Sequence, residues 1–443
     1  MANTTPFLGL RGTGDWGSIE LKPDSYRARI LRVFPNGKAP LTALLNLVKS
    51  EKLKESPIFH WYIKGLSSQS GTVAGVYTNT GLSSAYASAG AAGDTVYVKM
   101  SLADSKEFRV GHVALLRCSA DWRVDVTAKV TGRTEAGASS YLTCVLLEAD
   151  DNAPAVVGSY AAHDLSDVDR AIVIGNVNMQ GGSLPTAIAR DPVLMTNQTQ
   201  IWKTSLNLTR TELQTTLRTG SAYDEAKKDC LQDHSVEIEK SILWSILTSN
   251  TGSNGKPELT TKGIVPTIKE YAAANCSDYA YSSDFGGKTW LEGGEDWLDL
   301  QLEKMFTYGD EEKLAFAGLG AVTGINRMIK AKGNFDFTQE TAAYGIKVWS
   351  WTTPYGVLKI KTHPLFALEP TMRNAMVVLE PRKIKWRFIQ DTKFLKDDAW
   401  EKGGSANSDS KLEAYLTEAG LEFEDVSGWG LLNGVGLDNA LTA

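Results

Sequence analysis

Midway along this chain the spacing of apolar residues changes from two to between three and four. Val96, Val98, Met100 and Leu102 alternate with Thr95, Tyr97, Lys99 and Ser101. Val124, Val126, Ala128 and Val130 alternate with Arg123, Asp125, Thr127 and Lys129, and Leu142, Cys144 and Leu146 continue the theme. Period two predicts strands with one wet face, in a small antiparallel barrel or sandwich. From Ser221 the repeat turns helical. Ser221 can cap a helix with Asp224 and Glu225 in its first turn, running from Ala222 to Thr248. That is about 27 residues or ~40 Å, with Leu231, Ile238, Ile242 and Ile246 on one face. A helix so long needs an extended surface to lie on. Blocks of strands beside blocks of helices predict an α+β fold.

The flanks complete the order. Residues 1–57 read as an arm with one short amphipathic helix at Leu41–Lys52, and Pro57–Ile63 reads as a strand. No charged residue then appears between Lys64 and Asp94. Such a stretch is either a flexible linker or a long loop that pairs with a neighbouring molecule. Ala171–Ile174 is a further strand, and Pro185 and Pro192 discourage helix after it. Residues 263–375 alternate helices and strands. Glu295 and Asp296 open a helix that Gly309 closes, burying Leu298, Leu302 and Met305. Lys313–Phe316 is a strand, a helix follows to Gly333, and a hairpin turns at Thr353–Gly356. Last, Lys383, Lys385 and Arg387 alternate with Ile384, Trp386 and Phe388, while a strand near Lys411–Glu424 carries Glu413, Glu418, Glu422 and Glu424. A cationic and an acidic strand suit cross-strand pairing.

Charge and motif tests narrow the function. With 46 basic against 52 acidic residues the net charge is −6, whereas a free nucleic-acid binder carries a basic surplus. No apolar run reaches the roughly 18 residues of a membrane-spanning helix, and Met1-Ala-Asn-Thr-Thr-Pro6 does not start a signal peptide. Cys118, Cys144, Cys230 and Cys276 lie far apart and read as core thiols in a reducing compartment. Gly12, Gly14 and Gly17 match a dinucleotide fingerprint without its strand and helix. The glycines at 318, 320 and 324 read as a tight strand-to-helix turn, and Gly287-Lys288-Thr289 lacks the phosphate loop's first glycine. The five histidines show no metal-ligand spacing. Glu292, Glu295 and Asp296 cluster where a helix start favours acids anyway. No catalytic, cofactor-binding or metal residue is expected, so the chain reads as a non-enzyme. Of the twelve tryptophans, Trp16, Trp61 and Trp429 lie outside the convincing core segments. Tryptophan is enriched where proteins meet. The candidate assembly-interface residues are Trp16, Trp61, Trp202 and Trp429, with Lys383, Lys385 and Arg387, although an acidic strand in the same chain can take up the cationic face.

Asn197-Gln-Thr-Gln-Ile-Trp202, Val236-Glu-Ile-Glu239-Lys-Ser241 and Thr261-Lys-Gly263-Ile264, in this order of elements, resemble the major capsid proteins of tailed bacteriophages. The subgroup resembled carries a β-rich insertion in its extended loop. The resemblance implies a Hong Kong 97-type fold and no cofactor. It assigns 1–57 to an N-terminal arm, 58–94 and 166–200 to the extended loop, and 95–165 to the inserted β domain. Residues 201–262 and 376–425 fall to a peripheral domain with spine helix 222–248, 263–375 to an axial α/β domain, and 426–443 to a C-terminal tail. The implied partners are further copies, as hexamers and pentamers of an icosahedral shell. A separate scaffolding protein, a portal and a decoration protein are expected too, around double-stranded DNA held without sequence-specific binding. The implied place is the virion, assembled in the bacterial cytoplasm, with no membrane. Some relatives weld neighbours through an extended-loop lysine. Residues 65–93 hold none, so no weld is expected. A chain starting at Met1 is not expected to lose a large N-terminal scaffold region.

Three alternatives stand beside this reading. One is an encapsulin-like nanocompartment shell. Another is a carbohydrate-active enzyme with a β accessory domain, using Glu292 and Glu295. The third is an adhesin-like binding module.

Overall fold

The computed structural model describes residues 49–65, 68–87, 90–120, 124–149, 165–182, 184–215, 221–332, 337–341, 347–397 and 410–441. It divides into two compact units, Tyr62–Val193 and the chain on either side of it.

The larger unit begins with β1 (Ser50–Lys52), a strand where the sequence predicted the end of a helix; residues 41–48 lie outside the described part. Tertiary pairing overrides the local stripe here. β1 runs parallel to β19 (Ile384–Leu395), with Trp386 N donating to Lys49 O at 3.1 Å and Leu53 N to Phe388 O at 2.8 Å. β2 (Ile58–Ile63) falls where expected.

The smaller unit is a closed six-stranded barrel. Its strands are β3 (Ser70–Tyr77), β4 (Thr95–Met100), β5 (His112–Arg117), β6 (Asp125–Thr134), β7 (Tyr141–Leu146) and β8 (Arg170–Asn176), in the order β3-β4-β7-β6-β5-β8. The alternating Val96, Val98, Met100, Val126, Ala128, Val130, Leu142, Cys144 and Leu146 are buried together. Closure removes the edge strands that an open sheet would expose. The barrel is wider than the expected 95–165. The charge-free stretch is not a flexible linker: it supplies β3, whose Val73 and Val76 join the barrel core, and β8 adds Ala171. A short helix, α1 (Leu102–Ser105), is capped by Ser101, which accepts from Asp104 N at 3.0 Å. Described residues between β8 and β9 (Val193–Gln198) form neither helix nor strand.

β9 pairs with β2. β10 (Gln200–Thr209) lies antiparallel to β20 (Ser410–Phe423), completing a four-stranded sheet, β1-β19-β20-β10. After α2 (Arg210–Gln214) comes the long helix α3 (Ala222–Trp244), 23 residues, capped by Ser221 as expected. It stops short of Thr248 because Ser245 is extended and β11 (Thr248–Thr251) turns back on β12 (Pro257–Thr260). Its buried face also differs from expectation. Cys230, His234, Ile238 and Ile242 point inward at a spacing of four, while Leu231 and Ile246 are exposed. A polar residue can occupy that stripe when it finds partners, as His234 does below.

The rest is built on a seven-stranded mixed sheet, β13-β21-β18-β14-β17-β16-β15. Along the chain come α4 (Ile264–Tyr271), β13 (Cys276–Asp278), α5 (Trp290–Phe306), β14 (Glu312–Ala317), α6 (Leu319–Lys332), β15 (Phe337–Thr341), β16 (Lys347–Thr353), β17 (Gly356–Thr362), α7 (Pro364–Leu368), β18 (Met376–Leu379) and β21 (Gly430–Asn433). α5 starts five residues before Glu295. Thr289 and Glu292 form a capping box, and Gly293 and Gly294 sit inside the helix. A Cβ at Gly293 would lie 2.9 Å from Tyr279 Oη, so the glycine serves close packing and not a break. The glycine turn at 318 is tight as expected: a Cβ there would lie 2.2 Å from Arg373 O. Neither β18 nor β21 respects the expected boundaries. β21 is an interior strand in place of a tail, and β18 lies between it and β14, because both present apolar residues to the same sheet core.

Candidate functional site

Three motifs far apart in sequence meet in the larger unit. Asn197, 1% exposed, donates from Nδ2 to Leu421 O at 2.7 Å and Lys262 O at 3.2 Å. Its Oδ1 accepts from Lys262 N at 2.8 Å, Gln198 N at 2.9 Å and Thr261 Oγ1 at 3.4 Å. Gln198 Nε2 donates to Thr248 O and to Thr260 O, and Gln200 Oε1 accepts from Thr261 N at 3.2 Å. The Asn-Gln-Thr-Gln run thus stitches β9, the β11–β12 hairpin and β20 together by satisfying backbone groups that no ladder reaches. Gly263 follows because the chain here touches α3: a Cβ would lie 2.8 Å from Ile242 O and 3.0 Å from Ser241 O.

The helix motif supplies the other half of this clasp. Ser241 Oγ accepts from Trp202 Nε1 at 3.0 Å, and Thr204 donates to Glu237 at 3.2 Å. Glu239 Oε1 lies 2.7 Å from His363 Nε2, both fully buried, but off the line of a hydrogen bond. His363 Nδ1 accepts from Leu365 N at 3.2 Å, so any proton sits on Nε2, facing Glu239. One turn earlier, His234 bridges Thr204 Oγ1 (2.9 Å from Nδ1) and Thr417 Oγ1 (2.8 Å from Nε2). Burial lowers the His234 pKa, with Glu237 pulling weakly the other way.

The interface candidates divide sharply. Trp202 and Trp429 are 5% and 0% exposed and spend their surface inside their own core, Trp202 stacked on Trp386. Trp61 is half-buried, stacked on Phe59 at 6.0 Å, its Nε1 buried without a hydrogen-bond partner among the described residues. Trp16 lies outside the described residues. The cationic strand is taken up within the chain. Lys385 pairs with Glu422 and Glu424, Arg387 with Glu51 and Glu422, and Lys383 with Asp425 at 2.9 Å and Glu380 at 2.8 Å. The Glu424 contact holds the Lys385 pKa above its ordinary value.

Sequence reasoning missed the innermost member of that network. Lys313 and Glu380 form an ion pair 0% and 1% exposed, and Lys313 Nζ also donates to Tyr308 O at 3.0 Å. Burial pushes the Lys313 ammonium below its ordinary pKa despite Glu380. The available signal was a lysine inside the apolar strand Lys313-Leu-Ala-Phe316.

Glu292 is held by Thr289 N at 2.9 Å and Thr289 Oγ1 at 2.8 Å, which lower its pKa; a general acid needs the opposite shift. Exposed large apolar residues are spread over the described surface, among them Val177, Met179 (78% exposed) and Leu184 (95% exposed) in the irregular segment.

Solved structures from Microbacterium phage Oxtober96 and Mycobacterium phage Bobi align at TM-scores of 0.41 and 0.42, each with 8% identity over 95% of this chain and 98% of the other. A holo-SrpI encapsulin complex from Synechococcus elongatus PCC 7942 aligns at 0.37, with 10% identity over 56% of this chain and 77% of that one. The major capsid protein of Pseudomonas phage PaMx41 is 25% identical over 392 residues, 88% of this chain and 84% of the relative. A family model described as SU10 major capsid protein matches residues 4–436. This chain therefore belongs to the SU10 major capsid protein family and is a bacteriophage shell protein.

Proposed function

We propose that this capsid protein tiles an icosahedral head as hexamers and pentamers around double-stranded DNA. In this reading residues 1–57 are the arm. The excursion 58–200 is the extended loop, carrying the barrel as its insertion. The long helix and the four-stranded sheet form the peripheral domain, and the seven-stranded sheet with its helices forms the axial domain. The observation that carries it, beside family membership, is the exposed apolar run at Val177, Met179 and Leu184. An isolated subunit leaves these side chains in water, and a neighbouring subunit that covers them would gain their burial. Trp61, with its unpartnered Nε1, is the remaining tryptophan candidate on described surface. The net charge of −6 suits a container that holds its genome without specific contacts. Scaffolding, portal and decoration proteins are separate partners, and assembly takes place in the bacterial cytoplasm. Negative-stain microscopy of the expressed full chain tests the reading: shells, tubes or rings support it, and a monodisperse single subunit opposes it. With no lysine between residues 65 and 93, subunits from mature particles run as single bands on denaturing gels, and covalent ladders refute that part.

A further inference from the structure

The barrel unit carries a cavity of 410 Å³ lined by Lys106, Arg109, Val110, Arg133, Glu135 and the stretch Thr186–Ala189. Cavities of this size hold small ligands or the side chains of a docked segment. Its charge runs against the rest of the molecule: three cations and one carboxylate line it, in a chain of net charge −6. The carboxylate is spoken for, since Glu135 pairs with Arg133. Just outside, Glu107 pairs with Arg190. Lys106 Nζ has no partner among the described residues. Arg109 donates from Nη1 to Thr186 O at 3.2 Å, but its Nε is buried and unpartnered. A buried guanidinium N–H left without an acceptor is rare unless something else supplies one.

We propose that this cavity is a binding site for an acidic peptide segment of a partner protein, taken in extended form. Carboxylates meet Lys106 and the free edge of Arg109, whose planar fork suits a carboxylate. Phosphate would satisfy the same cations. The peptide is favoured by the opposite wall. Among the described residues, no backbone–backbone hydrogen bond involves Thr186–Ala189, so apart from Thr186 O, which Arg109 holds, the amides and carbonyls of that stretch are available to an added strand. Val110, 54% exposed, and Ile188 offer apolar contact that a phosphate does not use.

The test is titration of the full-length protein with a labelled, end-blocked hexaglutamate peptide at low and moderate salt. Expected is saturable binding that weakens as salt rises, about tenfold weaker in Lys106→Glu and unchanged in Lys330→Glu, an exposed lysine of the other unit that undergoes the same charge change. Lys106 is exposed and makes no side-chain bond, so its replacement leaves folding intact; a circular-dichroism spectrum matching wild type verifies this. Three results overturn the proposal: no saturable binding, equal weakening by both variants, or displacement by inorganic phosphate or a short single-stranded DNA at lower concentration than by unlabelled peptide.

Discussion

Asn197 is the residue whose replacement tests the fold most directly. Truncation to alanine removes five hydrogen bonds and leaves Lys262 N and Leu421 O buried without their shortest partners. Each unsatisfied buried group costs about 1–3 kcal/mol, so Asn197→Ala should cost roughly 2–6 kcal/mol. Against a total stability of about 5–15 kcal/mol that is a large fraction. Asn197→Asp keeps the volume and the acceptor oxygen but turns the donor into an oxygen facing two carbonyls. Ionised, it is worse than alanine in charge and equal in lost donors. Protonated, it can donate once, to Leu421 O. Its pKa in the folded chain is therefore raised above the unfolded value of about 3.9. The associated stability is present below that value and is lost as pH rises through the folded pKa. Urea unfolding followed by tryptophan emission at pH 5 and pH 7 reads both effects. The Asp variant should recover toward wild type at the lower pH, and the Ala variant should keep a constant deficit. Deficits below about 1 kcal/mol in both, or an Asp variant insensitive to pH, would refute the clasp.

Gly263→Ala pushes a Cβ to 2.8 Å from Ile242 O, backbone against backbone, and should lower the thermal midpoint by several degrees; an unchanged melt contradicts the close approach. Glu380→Gln leaves Lys313 buried without its anion and should cost about 3–5 kcal/mol in denaturant titration, while Lys313→Met with Glu380→Leu should regain most of it. His234 is held neutral, its pKa below the ordinary 6.5, so as pH falls below 6.5 the unfolded chain takes up a proton that the folded chain refuses. Stability should fall with acid over that window, and His234→Gln should flatten the slope; an equal slope in both proteins removes His234 as the cause.

The legibility of the sequence varied with how local each cause was. Alternation at residues 95–146 marked barrel strands because a strand facing a core records its two faces residue by residue. Ser221 marked the start of the long helix because capping is local chemistry. The last barrel strand was legible as a strand at Ala171–Ile174 but not as part of the barrel, and the first was illegible for the opposite reason. Val73 and Val76 sit among Gly, Ser and Thr that resemble a linker, and only closure against β4 and β8 gives them a core to face. The inward face of α3 was misread because it is held by His234 and Glu239, polar groups whose partners at Thr417 and His363 lie well over a hundred residues away. The same distance hid the clasp. Its three motifs were visible as resemblance, but nothing local told that Asn197 meets Lys262 and Leu421. The cationic strand was the fairer case, since Lys385 and Arg387 found the acidic strand the alternation had offered.

The pairing of β2 with β9 has a consequence for how such chains diversify. The excursion leaves and re-enters at adjacent strands, so the host fold registers where the cassette is attached and scarcely how long it is. Doubling a closed loop adds only about 0.6 kcal/mol of closure entropy. If the barrel is the insertion proposed above, its length is therefore free to change while the strands at that doorway stay paired.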